Sequence, residues 1–277
     1  MSHINSKKFS VLLSIYYKEK PEYFDRCMKS IWDDQSVKPN EIVLVEDGAL
    51  TNELYEIIER WQNKLGNIFK IIPLEKNLGT GEAKNIGLKE CSYEFIAVMD
   101  TDDIANSKRF EKQLEIFREK DIEVCSSWIS EFEDEEDNII SFRKLPEYHN
   151  DILNFAKKRM PVNHPATMYK KDIALKAGGY KHMLWFEDYY LMVRMMINGA
   201  KFYNIQEPLV NMRVGYGQLE RRRGFKYVLE EAKFLKELKN IGFITQGEYV
   251  MNLVLRSAVR ITPKFIIKRV YKILRNS

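Results

Sequence analysis

The sequence has little cysteine. Cys27, Cys91 and Cys125 are the only three in 277 residues, and no two of them form a CxxC pair. That spacing supports neither a disulfide framework nor a zinc site, and buried free thiols in a reducing compartment are expected. No run of ~18 apolar residues occurs, so no bilayer-spanning helix is expected. The N-terminal MSHINSKKF lacks the apolar core of a signal peptide, which predicts a cytosolic protein. Internal repeats and low-complexity segments are missing too. Charged residues make up 30%, yet the net charge is only +4. With no basic stripe carrying interleaved aromatics, a nucleic-acid partner is not expected. The glycine-rich Asn77-Leu78-Gly79-Thr80-Gly81 lacks the spacing of the dinucleotide and P-loop fingerprints. No serine or cysteine nucleophile motif is offered.

What is present is an apolar content of 45%, enough for a substantial core. Short apolar runs alternate with amphipathic stretches. Phe9–Ile15, Glu41–Glu46, Asn67–Leu74 and Phe95–Met99 read as strands. Pro21–Asp34, Asn52–Leu65 and the segment from Gly81 through Lys89 read as helices. This alternation predicts a doubly wound, mainly parallel sheet. In such a sheet the loops after strands one, two and four open on one edge, where ligands bind. Further on, Ser107–Lys120 predicts a helix, Ile122–Ile129 a strand and Ser130–Asn138 an acidic loop. Ile139–Phe142, Thr167–Tyr169, Lys201–Ile205 and Leu209–Val214 predict strands. A helix is expected from the Trp185 region to about Asn198, and everything from Leu219 onward looks helical.

The loops at the expected ligand edge carry the chemistry. Tyr16 and Glu19 follow strand one, and Asp47-Gly48 follows strand two. Asp100, Asp102 and Asp103 follow strand four. Three carboxylates within four positions repel unless a cation or a proton lies among them. Mn²⁺ or Mg²⁺ shared with a nucleotide diphosphate suits such a group; a solvated acidic turn ahead of the next helix is the plain alternative. Asp-Gly is also a common turn pair. The acidic run between Glu131 and Asp137 reads as a solvated hairpin tip without chemistry. His164 lies between Pro161 and Pro165, away from any helical apolar face, and is a candidate site residue. Glu187-Asp188 opens a helix, where acidic residues either face the dipole or supply a general base. Arg213 is placed to reach a phosphate.

Taken in order, VLLSIYYKE, EIVLVEDG, NLGTGEAKNIGL, FIAVMDTDD, NHPATMYKK, GGY and FEDYYLMVRM resemble glycosyltransferase family 2 over about Phe9 to Arg213. The later segments look most like the bacterial O-antigen and capsule branch, often galactosyltransferases. The resemblance implies the glycosyltransferase-A fold, with a nucleotide-sugar domain over 1–215 and a helical region over 216–277. The donor half would span about 1–105 and the acceptor half about 106–215. It implies a UDP-sugar donor, with Tyr16 and Glu19 lining the nucleoside pocket and Asp47 accepting from uracil. Lys84, where the family usually has arginine, would face base or phosphate as a point charge. Asp100 and Asp102 would hold ribose and the metal-bound diphosphate, and Asp103 would share the metal with Asp102. Asp188 matches the catalytic base, with Glu187 beside it. The QxxRW segment of processive members is absent, which implies addition of single sugars. The implied acceptor is an undecaprenyl-diphosphate-linked saccharide.

Two other classes compete. A Mg²⁺-dependent nucleotidyltransferase would show a basic glycine-rich loop after strand one, which Tyr16-Tyr17-Lys18-Glu19 is not. A non-catalytic membrane-associated scaffold would not need the intact aspartates and Glu187-Asp188. At the C-terminus, Lys264, Lys268 and Lys272 recur on one helical face while Ile266, Ile267, Val270 and Ile273 recur on another. That pattern over Pro263 to Ser277 predicts a basic amphipathic helix lying on the cytoplasmic face of the cell membrane.

Overall fold

In a computed structural model, residues 7–215 and 224–261 are described. The expected amphipathic helix over Pro263–Ser277 lies outside them. One compact unit comprises the chain up to His182 together with Glu187–Val214. A second comprises Met183–Phe186 with the chain from Gly215.

In the first unit the strands β1 (Phe9–Ile15), β2 (Glu41–Glu46), β3 (Phe69–Pro73) and β4 (Phe95–Val98) alternate with the helices α1 (Pro21–Ile31), α2 (Asn52–Leu65) and α3 (Thr80–Glu90). They pair in parallel in the order β3-β2-β1-β4. β2 is buried throughout, as a strand covered on both faces must be. Phe9, Val11, Leu13 and Ile15 of β1 join a core with Phe24, Met28 and Ile31 of α1 and Leu54, Ile58 and Trp61 of α2. The opposite face of the sheet receives α3. There Gly87 lies so close to β1 and β2 that an added Cβ would press on Leu12 and sit 2.7 Å from Val45. The local signals agree with the elements: Pro21 occupies the first turn of α1, and Thr51 caps α2 by accepting from the Leu54 amide.

Beyond β4 the sheet turns mixed. The strands β5 (Ile104–Ala105), β6 (Val124–Phe132), β7 (Ile139–Arg143), β8 (Met168–Lys170) and β9 (Phe202–Arg213) continue the order as β8-β6-β9-β5, with β7 beside β6. β8 is antiparallel to both β4 and β6, whereas β6 and β9 run parallel. The helices α4 (Arg109–Glu119), α5 (His149–Ala156), α6 (Lys171–Lys176) and α7 (Glu187–Ile197) complete the unit.

Two expectations change. β6 runs to Phe132, because it stays paired with β9 as far as Arg213 and Glu131 accepts from Ser141 and Arg143 across the hairpin; the acidic loop is correspondingly shorter. The two strands expected over Lys201–Val214 are one strand, β9, whose register against β6 shifts around Ser127–Ile129 and so accommodates Pro208. All three cysteines are buried and free, as expected.

The second unit is a helical hairpin of α8 (Phe225–Asn240) and α9 (Gln246–Ile261). Gly242, at φ 75°, and Phe243 donate back to Lys239 and Leu238, closing α8. Thr245 and Glu248 exchange side-chain-to-backbone hydrogen bonds of 2.8 and 3.2 Å, a capping box that starts α9. Phe186 stacks on Phe234 and Trp185 on Tyr227.

The fit of α3 on the sheet gives a test. Gly87→Ala gains helix propensity of about 1 kcal/mol, but the new methyl meets fully buried Leu12 and Val45. Overpacking costs about 1–3 kcal/mol, so the variant should be net destabilised, with a lower urea midpoint at unchanged m-value.

Candidate active site

The site is assembled by loops at the carboxyl edge of the sheet. The Asp47 amide donates to Ile15 O (2.8 Å) and the Met99 amide to Leu12 O (3.1 Å), so the loops after β1, β2 and β4 are neighbours. β8 enters antiparallel to β4, and the Val98 amide donates to Thr167 O (2.9 Å); this brings the Asn163–Thr167 loop to the same edge.

Asp47 is buried. Its two carboxylate oxygens accept from the amides of Leu78 (2.6 Å) and Gly79 (3.0 Å), and its carbonyl accepts from the Asn77 amide side chain. It therefore shapes the turn that leads into α3. Gly48, at φ 85°, keeps that turn close: a Cβ there would stand 2.8 Å from Asn77 N.

The acidic turn divides into three environments. Asp100 accepts from Lys84 Nζ at 2.6 Å, and the lysine is itself only 3% exposed. Burial would raise the Asp100 pKa, but the Lys84 charge, then His164 and the hydrogen bond, hold it below the usual carboxylate value. Asp102 is half-buried and crowded. Burial, then the charges of Asp100 and Glu19, push its carboxyl up to about 7. Asp103 is 2% exposed and accepts the Arg213 amide at 2.9 Å, so it supports the turn from within and does not line the open edge. Of the pair assigned to a metal, Asp102 fits: a half-buried carboxylate crowded by like charge gains from a cation. Asp103 does not reach out to share it. Among the described residues, no three His, Cys, Asp or Glu side chains converge to form a metal site by themselves. A metal here would complete its shell with phosphate and water.

Glu19 is half-buried on the loop after β1, accepting from Thr101 Oγ1 and from the Lys20 amide (2.9 Å). Burial raises its pKa. Tyr16 is exposed beside it, edge-on to Tyr17. Arg213 lies with its guanidinium 3.8 Å from the Tyr23 ring centroid and donates to Asp102 O at 3.3 Å. Its backbone and side chain together bind the acidic turn to the end of β9.

The other flank is His164, Asp188 and Glu187. His164 Nε2 is 2.9 Å from Tyr180 Oη, which lies 3.3 Å from Tyr169 Oη. Burial, then the neighbouring Lys84 charge, push the imidazole down to about 4, against the pull of Asp188 and Asp100. The ring is therefore neutral at pH 7. Asp188 opens α7 and accepts from the Tyr189 amide at 2.7 Å. Glu187 packs where Gly81 leaves room: a Cβ on Gly81 would stand 2.6 Å from Glu187 Cγ. Burial raises the Glu187 pKa, and Asp188 adds to it. The first turns of α3 and α7 thus meet over Lys84, and both helices turn their positive ends toward this edge.

Sequence reasoning named these residues but missed their support. Arg109, fully buried, donates to Val98 O (2.6 Å) and, through Nε, to Gln113 (3.2 Å) beneath the acidic turn. Burial lowers its pKa to about 10, so it remains a cation. Arg109 and Gln113 are four apart on the face of α4 that also buries Phe110, Leu114 and Phe117, and a charged residue at an apolar-face position was the available signal. Tyr180, Thr101 and Gly81 stand within the quoted GGY, FIAVMDTDD and NLGTGEAKNIGL segments, which gave them no individual role.

Compared with known proteins, residues 10–176 match the model of glycosyl transferase family 2. The chain is 35% identical over 269 residues to the UDP-Gal:alpha-D-GlcNAc-diphosphoundecaprenol beta-1,3-galactosyltransferase of Escherichia coli, covering 97% of this chain and 96% of that one. It is 38% identical to the amylovoran biosynthesis glycosyltransferase AmsE of Erwinia amylovora, covering 95% and 98%. Among solved structures, S. aureus TarS 1-349 in complex with UDP-GlcNAc aligns with a TM-score of 0.67 at 19% identity, over 89% of this chain and 70% of that one, and shows the common fold.

The neutral His164 sets a pH dependence. An unfolded histidine protonates near 6.5 while the folded one resists until about 4. The unfolded state therefore binds the extra proton within that window, and stability is lost as pH falls through it. The raised carboxylates act in the opposite sense but are shared by a His164→Asn variant. Between about pH 7 and about pH 4.5 the variant should lose on the order of 2 kcal/mol less stability than the unmodified protein. Urea titrations of both at the two pH values check this, and parallel losses would contradict it.

Proposed function

The chain belongs to glycosyltransferase family 2 and is a glycosyltransferase, and we propose that it transfers a hexose, galactose first, from a UDP-sugar to an undecaprenyl-diphosphate-linked saccharide in bacterial surface polysaccharide assembly. One observation carries the reading: the acidic turn at Asp100–Asp103 and the helix start at Glu187-Asp188 meet at one sheet edge around Lys84. A donor-binding flank and a proton-accepting flank are thereby adjacent. Galactose and the lipid-linked acceptor are supported by the full-length similarity to the E. coli enzyme, whose name specifies both.

In the proposed reaction the acceptor hydroxyl oxygen attacks the anomeric carbon as the bond from that carbon to the diphosphate oxygen breaks. Asp188 takes the hydroxyl proton, and the bonding pair leaves with UDP. A single displacement inverts the anomeric centre, so an α-linked donor gives a β-linked product. Tyr16, Glu19 and Asp47 border the nucleoside. Asp47 does so while holding the 77–79 turn, since each carboxylate oxygen retains a second lone pair. Lys84 and Arg213 face the diphosphate, Asp100 the ribose, and His164 borders the cleft as a neutral imidazole. Asp102 would hold Mn²⁺ or Mg²⁺, which when bound supplies Lewis-acid stabilisation of the diphosphate charge. Without a QxxRW segment, one sugar is added per encounter.

No helix among the described residues is long and apolar enough to cross a membrane. Reaching a lipid-linked acceptor then calls for attachment to the membrane surface, and the basic amphipathic segment Pro263–Ser277 supplies it in this reading, on the cytoplasmic face of the cell membrane.

Release of UDP from a panel of UDP-sugars, with a GlcNAc-diphosphate-lipid analogue as acceptor, tests the assignment; turnover with UDP-galactose is expected, and failure with every UDP-sugar would refute it. Asp188→Asn removes the proton acceptor at nearly constant shape and should lower kcat by roughly 10²–10⁴-fold with UDP affinity retained. Chelation by EDTA should abolish transfer and added Mn²⁺ restore it; full activity in excess EDTA would remove the metal from the scheme.

A further inference from the structure

α9 is amphipathic the wrong way round for a helix surrounded by water. On one side Arg256 and Arg260 turn in, donating at 3.0 and 3.2 Å to Glu231 of α8, which is only 3% exposed. On the opposite side Val250, Met251, Val254 and Leu255 turn out, with exposures of 48, 61, 62 and 58%. At 100° per residue these four span a single face of about 140°, and the arginines lie across the helix axis from them. Phe225 and Leu229, four apart on α8, are exposed as well. A helix in water buries its apolar stripe and exposes its charges. A contiguous apolar stripe left outward marks a surface that meets something apolar.

Charge identifies the occupant. No acidic residue follows Glu248 in the sequence, while beyond the Glu231-paired Arg256 and Arg260 come Lys264, Lys268, Arg269, Lys272 and Arg275. A strongly cationic stretch that follows an apolar helix face in the sequence complements an anionic lipid surface. A second copy carries the same excess of positive charge and offers it no complement. We infer that the outward face of α9 is a lipid-contacting surface, seated in the headgroup region of an anionic bilayer with Val250, Met251, Val254 and Leu255 in its apolar layer. This deepens the proposed membrane attachment and rests on that reading, but assigns lipid contact to a different segment from Pro263–Ser277.

The test uses full-length protein and vesicles of phosphatidylcholine with or without phosphatidylglycerol. The variant Met251→Gln/Val254→Gln/Leu255→Gln removes the apolar face without touching the Glu231–Arg256–Arg260 cluster. It should bind anionic vesicles at least about tenfold more weakly in sedimentation, since several buried apolar side chains are lost. Its melting transition and its UDP binding should be unchanged. A second readout does not depend on that variant: with all native cysteines buried, an environment-sensitive dye on Val254→Cys labels α9 selectively, and its emission should shift to the blue on anionic vesicles. Undiminished binding by the triple-Gln protein, or an unshifted dye, would overturn the inference. A chain that dimerises through this face, with vesicle binding intact once the face is polar, would do the same in favour of a second copy. Truncation after Thr262 separates the two readings. If truncation abolishes binding and the triple-Gln change does not, attachment through the last residues stands and lipid contact by α9 falls. The converse result leaves α9 as the anchor, and no binding by the unmodified chain ends both.

Discussion

The crowding of negative charge at the end of β4 is the constraint to which the site conforms. Asp100, Asp102 and Asp103 leave one strand within a single turn, and Glu19 faces them from the loop after β1. A fold that gathers like charges must place cations or accept protons. This one does both. Lys84 and the buried Arg109 sit as fixed cations at Asp100 and beneath the turn, and Arg213 fastens its outer side. Burial, and then the charges of Asp100 and Glu19 that these cations leave unbalanced, push the Asp102 carboxyl up to about 7. The remaining demand is for positive charge at the open edge, where a metal-bound diphosphate would be received.

Positioning these groups depends on close backbone approach. Asp47 ties the turn before α3 to the end of β2. Gly87 then seats α3 directly on Leu12 and Val45, which fixes how far Lys84 reaches along the sheet edge. At the other end of α3, Gly81 leaves the space that Glu187 fills. One helix therefore sets both the cation at Asp100 and the depth of the acidic pair on α7. Its glycines look like a weak phosphate-loop signal in sequence, yet in the structure they are packing devices.

The parallel half of the fold was legible because its physics is local. Apolar runs of strand length, amphipathic stretches of helix length, a proline at a first turn and a threonine cap all act within a few residues. The second half was less legible. Whether β6 stops at Ile129 or continues to Phe132 depends on Ser141 and Arg143 across the hairpin, and the single β9 depends on a register shift against β6. The site shows the same division. Which residue types gather at the edge could be read from loop order. That Asp103 turns inward, that Lys84 meets Asp100 and that Arg109 lies beneath them could not, because each is a contact between distant segments that neither segment specifies. The one local trace of Arg109, a charge on the apolar face of α4, does not say what it reaches.

The two flanks of the site differ in how firmly their carboxylates are held, and that difference bears on mechanism. Asp100 is locked to Lys84, which lowers its affinity for a proton and suits it to a permanent negative role. Among the described residues, Asp188 has the amide of the next residue as its one hydrogen-bond donor and no cation pairs with it. His164, whose charge would act on Asp188, is kept neutral by burial and by Lys84. Were the imidazole charged, it would draw Asp188 into an ion pair and weaken it as a proton acceptor. Lys84 thus serves both flanks, pairing with Asp100 while suppressing the charge on His164. The proposed base is left free to take a proton when a hydroxyl arrives.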